Sequence, residues 1–400
     1  MRAEVSLSPI NIRMFDRDKI GHGCPMADNN AWQRPDGEYI PCCNYSNNID
    51  SIGIHTDIAS FHSSLGMRRL REDLDNGIRR PGCVRCWEIE DAGGISIRQG
   101  SHLRWPDKPP PAIRGIEIST GRTCTLKCRT CSSWQSTAWE SEDRRRGIMA
   151  DLSTADSSSI DFSVFENVTE IKVTGGEPFL SKSFAKLLGD LANNGMARNI
   201  RLEIYTNCVD FPSSAYTDSM GEFRRALVLF SLDGVGSRND YIRTGSSWEG
   251  AMDTISRWAK FRDSSRDGLI GFGISHTFST FNMLYLDEML DFIPQLDARF
   301  GLNLSPRMPH LAAGVVQHSI KMLPAALRHR MADMHAAGMR GDAYDEFRRV
   351  VVDVLRADHP EPRMTLRQWL EKQGRLDSMR GQDMRTALPE LAALLDEYVS

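Results

Sequence analysis

No stretch of this 400-residue chain approaches the eighteen or so consecutive apolar residues that a membrane helix needs. Residues 1–15 also lack the basic start, apolar run and small-residue exit of a secretion signal, so a cytoplasmic protein with no membrane partner is expected. An excess of one charge is missing too. With 49 Lys+Arg against 53 Asp+Glu and a formal net charge of −4, nothing draws the chain to a polyanion, and no basic stripe interleaved with aromatics supports nucleic-acid binding. No repeat of fixed period occurs. An apolar share of 40% with 26% charged residues describes a globular protein, long enough for two or three domains. Cysteine is the unevenly supplied residue: the last 192 positions have none, and eight of the nine lie at or before position 131. In a reducing compartment such clustering argues for metal or redox chemistry before disulfides.

Cys124, Cys128 and Cys131 fall within eight residues in GRTCTLKCRTCSSW, between a strand-like run and a helix-like one. A fourth partner is lacking, because no other cysteine lies between Cys86 and Cys208. Structural zinc and electron-transfer iron–sulfur sites close with four protein ligands, whereas three leave one metal position open for catalysis. About fifty residues later comes IKVTGGEP, Ile171 to Pro178. Its two glycines allow close backbone approach to a small polar ligand, and the carboxylate suits a positively charged amino group. Further on, LVLFSLD ends a strand at Asp233, and YIRTGSSW carries Arg243, a residue type suited to bidentate recognition of a carboxylate.

With these motifs the chain resembles the radical S-adenosylmethionine enzymes, whose signature is cysteine, three residues, cysteine, two residues, cysteine. The resemblance implies a [4Fe-4S] cluster on Cys124, Cys128 and Cys131. It implies that S-adenosylmethionine is held by Gly175, Gly176, Glu177 and Pro178 at its amino end, by Ser231 at the ribose and by Arg243 at the carboxylate. Thr130 departs from the aromatic residue usual before the third cysteine, where the adenine packs, and Trp134 is the candidate replacement. The implied chemistry is reductive cleavage to a 5′-deoxyadenosyl radical, with flavodoxin or ferredoxin as electron donor. That radical takes hydrogen from an unactivated C–H bond of a small polar metabolite, such as a sugar or cyclitol, or of a peptide. Oxidation results if the substrate radical passes an electron to a second cluster, and epimerisation if a protein thiol returns a hydrogen. Cys208, in YTNC, is the candidate donor thiol, and its alternative reading is a buried, inert cysteine.

The amino-terminal cysteines form a second group. Cys24 and Cys42 are separated by a glycine turn at Gly37, and Cys83 and Cys86 form CVRC, close enough to chelate one metal from a single turn. Their spacing suits zinc or a complete cluster. The pattern resembles the twitch module, a shortened relative of the SPASM domain, which implies a second, auxiliary [4Fe-4S] cluster. Here it precedes the barrel it usually follows. Cys42 or Cys43 supplies the second ligand, and the glycine spacing favours Cys42. A non-catalytic zinc or iron–sulfur scaffold is the reading from a different class.

Six strand–helix units are expected from residue 112 to 310: strands at 113–120, 169–174, 200–207, 227–233, 269–278 and 302–305, with helices at 183–196, 248–261 and 283–296 among them. This alternation argues for an α/β fold with a parallel sheet, here a partial (β/α)6 barrel whose ligand sits at the carboxyl ends of the strands. Strand parity turns Asp233, Ser275, Asn303 and Ser305 toward substrate and makes His276 structural. Residues 1–111 form the expected auxiliary module, with KPPP at 108–111 as a stiff linker. Residues 311–400 read as a helical extension packing on the barrel, and Arg144 to Arg146 as a solvated helix end.

Overall fold

The computed structural model describes residues 20–91, 96–106, 110–148, 162–266, 268–304, 320–357 and 364–399. Their strands form one seven-stranded sheet: β1 (Asn30–Gln33), β2 (Tyr39–Ile40), β3 (Gly115–Ser119), β4 (Glu170–Thr174), β5 (Arg201–Thr206), β6 (Arg225–Ser231) and β7 (Ile270–Ser275). The order is β2-β1-β3-β4-β5-β6-β7, parallel throughout except for the β1–β2 hairpin. Gly37, at φ +83°, sits in the hairpin turn.

Alternation along the strands explains the layering. Ile116, Ile118, Ile171, Val173, Leu202, Ile204, Val228, Phe230 and Phe272 share a core with Phe184, Leu188 and Leu191 of the helix Lys182–Asn193 and with Ile255 and Trp258 of the helix Trp248–Asp263. The intervening positions on β3 to β5, Glu117, Ser119, Lys172, Thr174, Glu203 and Tyr205, therefore share the opposite face.

The strand expected at 302–305 does not form over Leu302–Leu304. Gly301 ends the helix Leu286–Phe300 in the left-handed region at φ +58°, and Asn303 repeats that conformation at φ +52°, so the chain cannot run extended there. Asn303 is exposed, not turned inward, and Ser305 lies outside the described residues. A sixth parallel strand joins at the other edge instead, because β1 pairs with β3. The amino-terminal segment thus belongs to the sheet, and one core runs from Met26 to Leu302.

The helices Ala325–Ala337, Asp345–Arg356, Leu366–Arg380 and Pro389–Glu397 gather around a second core, in which Trp369 packs on Phe281 with ring centroids 5.2 Å apart. That core includes Tyr241 and Ile242, so it reaches the loops at the carboxyl ends of the strands. Arg144 and Arg145 end the helix Thr137–Arg145, and Arg144 and Arg146 pair locally with Glu140 and Asp143.

Candidate metal centre and cleft

The cysteine loop, residues 120–136, follows β3 and is clamped on two sides. On one side the GGEP turn continues the β3–β4 ladder: Thr120 N donates to Thr174 O (2.9 Å), Gly176 N to Gly121 O (2.9 Å) and Glu177 N to Thr123 O (2.7 Å). A Cβ at Gly176 would lie 2.3 Å from Thr123 O, and one at Gly175 (φ +130°) 2.9 Å from Gly121 O. The close approach these glycines permit is to the chain's own cysteine loop, a different use from the ligand contact expected of them. On the other side Lys127 N donates to Thr244 O (2.8 Å) and Arg129 N to Ile242 O (2.7 Å). Trp139 Nε1 holds Cys128 O at 2.7 Å, and Ser136 Oγ holds Leu126 O at 2.7 Å.

All three thiols of the loop are free. Burial pushes Cys128 up to about 11 and Cys131 up to about 12, and raises Cys124 as well, so a bare thiolate is disfavoured unless positive charge joins it. Cys124 Sγ already receives Leu126 N at 3.4 Å and Asn207 Nδ2 at 3.8 Å. Among the described residues no three Cys, His, Asp or Glu side chains close around a single ion. A cubane places each thiolate on a separate iron, so three cysteines spread along an open loop are compatible with an iron–sulfur cluster.

Arg243 reaches the loop from the end of the helix Ser237–Ile242. Its Nη1 donates to Asp233 Oδ2 at 2.9 Å, while its Nε is buried with no acceptor, a vacancy that a carboxylate could fill. Burial works against its charge, but Cys128 and Asp233 outweigh that and raise its pKa. Asp233, expected to face substrate, is fully buried: Arg243 and Thr277 N occupy its two oxygens. Ser231 and Ser275 are register partners at the ends of β6 and β7 and share a face. His276 is buried, with Nδ1 on Leu232 O at 2.9 Å.

Glu177 is also turned to internal use. Its carboxylate accepts from Asn207 N (2.7 Å), Thr206 Oγ1 (3.0 Å) and Phe179 N (3.3 Å), fastening the GGEP turn to the end of β5. Burial pushes it up to about 7 against these three donors. Cys208 is fully buried in the core at φ +61°, its thiol directed at Thr206 O (3.7 Å). With no surface to offer a substrate, it matches the inert reading rather than the hydrogen donor.

In the amino-terminal group, Cys24 caps the helix Pro25–Asn29, Cys83 ends a short turn and Cys86 lies in the helix Val84–Asp91. Burial raises all four thiols, Cys24 to about 12, and Cys42 is pushed further by its neighbour Cys43 first and then by Cys86, Cys24 and Cys83. Cys43 differs: after burial, its strongest influences are Glu117 and Lys172. It lines the cleft, whereas Cys42 is not among the cleft's lining residues.

That cleft, about 1150 Å³, lies between the cysteine loop and the sheet and is lined by Trp32, Cys131, Trp134, Glu117, Ser119, Lys172 and Gly175 among others. A cleft of about 410 Å³ at the opposite, amino ends of the strands contains no cysteine. Trp134 stacks under Arg34, 5.3 Å from ring centroid to guanidinium, which commits one of its faces. The sequence reading passed over Glu117, Lys172, Glu203 and Tyr205, although the alternation in IEIS, IKVT and LEIYT marks them as plainly as it marks Ser275. Asn207, on the Cys124 sulfur, carried no sequence signal beyond its place at a strand end.

No protein-family model matches the chain, and no curated protein matches it in sequence. Solved structures align with it at low similarity. SuiB from Streptococcus suis is 13% identical with a TM-score of 0.33, the alignment covering 61% of this chain and 45% of SuiB. SuiB bound to its precursor peptide SuiA gives 11% and 0.34, over 82% and 64%. anSMEcpe with bound AdoMet and a peptide gives 15% and 0.36, over 57% and 61%. The chain thus spans less than two thirds of each of these proteins. TM-scores this low carry no argument.

Proposed function

We propose that this chain is a radical S-adenosylmethionine enzyme. One observation carries the reading: three free thiols on a loop clamped between the GGEP turn and the Arg243 turn, one of them, Cys131, lining a large cleft. Cys124, Cys128 and Cys131 would hold a [4Fe-4S] cluster, and Arg243, with its unused Nε, would take the carboxylate of S-adenosylmethionine. When bound, that pair supplies a 5′-deoxyadenosyl radical able to abstract hydrogen from an unactivated C–H bond.

The protein's part is positional. Glu177 locks the GGEP turn to β5, Asn207 donates to the Cys124 sulfur, and Asp233 holds Arg243 in place. Cys24, Cys42, Cys83 and Cys86 would hold a second [4Fe-4S] cluster in a twitch-like arrangement on the amino-terminal segment, which shares its sheet and core with the strands that follow rather than standing apart as the separate unit expected at residues 1–111. Oxidation or epimerisation of a sugar-like metabolite, or of a peptide, would follow, with flavodoxin or ferredoxin as donor.

Anaerobic reconstitution tests this. About eight iron and eight sulfide per chain and reductant-dependent 5′-deoxyadenosine are expected, with cleavage lost in Cys128→Ala. Zinc in place of iron, with no cleavage, would refute the enzyme and leave a metal-binding scaffold.

A further inference from the structure

The row Glu117, Lys172 and Glu203 runs across adjacent strands in register, since Glu117 pairs with Lys172 and Lys172 with Glu203. Lys172 Nζ lies 3.9 Å from Glu117 Oε2, beyond hydrogen-bond reach, and 5.2 Å from the Tyr205 ring centroid. Burial opposes its charge, but Tyr205, Glu117, Cys43 and Glu203 outweigh it, so the ammonium stays protonated. Next to this row, Ser119 Oγ is buried without a hydrogen-bond partner. Glu117, Lys172 and Ser119 all line the cleft, as does the flat ring of Trp32, which is paired in register with Glu117.

The chemistry of this ion pair selects what can bind against it. Lys172 and Glu117 pair at 3.9 Å, and a group that bridges them from the cleft side must accept from the ammonium and donate to the carboxylate, as a hydroxyl does. A carboxylate or phosphate would satisfy Lys172 but face Glu117 at contact distance, with Glu203 adding to the repulsion. An amide carbonyl can accept but has nothing to donate from the same atom. Ser119 offers a second hydroxyl-compatible site, and an indole face covers the apolar side of a ring.

We infer that Glu117, Lys172, Ser119 and Trp32 form the substrate-recognition subsite of the cleft, built for a neutral polyhydroxylated ring. The inference deepens the function proposed above and rests on it for the identity of the cleft as the reaction chamber. Ligand-observed saturation-transfer NMR on the full chain, backed by tryptophan fluorescence, tests it. The probes are myo-inositol, neutral mono- and disaccharides, glucose 6-phosphate, glucuronate and a neutral hexapeptide. Saturable binding is expected for a neutral polyol, weakened roughly tenfold or more in Lys172→Met and about three- to tenfold in Ser119→Ala. Ser119 Oγ bonds to nothing in the protein, so Ser119→Ala should keep the wild-type melting temperature. Preference for an anionic sugar, binding of the peptide alone, no saturable polyol, or wild-type affinity in both variants would overturn the subsite. Production of 5′-deoxyadenosine in the same preparations reports on the cofactor reading separately: cleavage without polyol binding sinks only this inference, and polyol binding without cleavage sinks only the other.

Discussion

Replacing Asp377 by alanine removes the carboxylate that faces a buried guanidinium in the middle of the cysteine loop. Arg129, between Cys128 and Cys131, is fully buried and pairs with Asp377 on the helix Leu366–Arg380. It also donates to Gln373 Oε1 (3.1 Å), Gln382 Oε1 (2.9 Å) and Tyr241 O (3.1 Å), and lies 3.8 Å from the Tyr241 ring centroid. Burial already lowers its pKa. The neutral acceptors would remain after the substitution, but the countercharge would not. Breaking a buried pair from one side typically costs about 3–5 kcal/mol, a factor of roughly 10² to 10³ or more in the local folding equilibrium. Met384 N, which donates to Asp377 Oδ2 at 2.9 Å, loses its acceptor too and adds to the loss. The double variant Arg129→Met with Asp377→Leu leaves no stranded charge and should cost far less than Asp377→Ala alone. Urea unfolding followed by tryptophan fluorescence measures both, with iron content reporting the state of the loop. A cost below about 1 kcal/mol for Asp377→Ala, or a double variant as damaged as the single, would refute the reasoning.

Three further outcomes are expected. Gly176→Ala should push the cysteine loop away from the GGEP turn, because its Cβ meets Thr123 O, and should lose the iron of the Cys124 trio while the amino-terminal quartet keeps its own; elemental analysis of reconstituted protein checks this. Glu177, held up at about 7 by burial against an unfolded value near 4.5, contributes stability that is fully present below about pH 4.5 and is lost as pH rises toward 7. The total is on the order of 3 kcal/mol, and Glu177→Gln should flatten that slope in melts taken across the range; an unchanged slope would exclude Glu177 as its source. Cys208→Ala should leave both 5′-deoxyadenosine formation and turnover of the true substrate at wild-type level. Loss of turnover alone would restore the hydrogen-donor role that the buried thiol argues against.

Five of the six expected strands form, because each pairs an apolar run with a turn that ends it. The sixth fails at Gly301 and Asn303, whose left-handed conformations are a property of the helix cap and not of LNLS itself. The strand that replaces it, β1, has three of its four residues buried and so shows no alternation to read. Candidate ligands were legible from spacing alone, since cysteine chemistry depends on intervals. The second jobs of the site residues were not. Glycines that seat one loop on another, a carboxylate satisfied by a neighbouring strand, and an aspartate claimed by Arg243 depend on contacts between distant segments, which no local pattern encodes. The polar row on β3 to β5 was within reach of the same parity that selects Ser275.

Arg129 meets Gln373, Asp377 and Gln382 across sequence separations of 244, 248 and 253 residues. During synthesis the cysteine loop leaves the ribosome long before the helix that pins it. Until residues 373–382 arrive, its central arginine has no countercharge and the loop lacks its third anchor. Full fastening of the loop therefore waits for the late helix to dock.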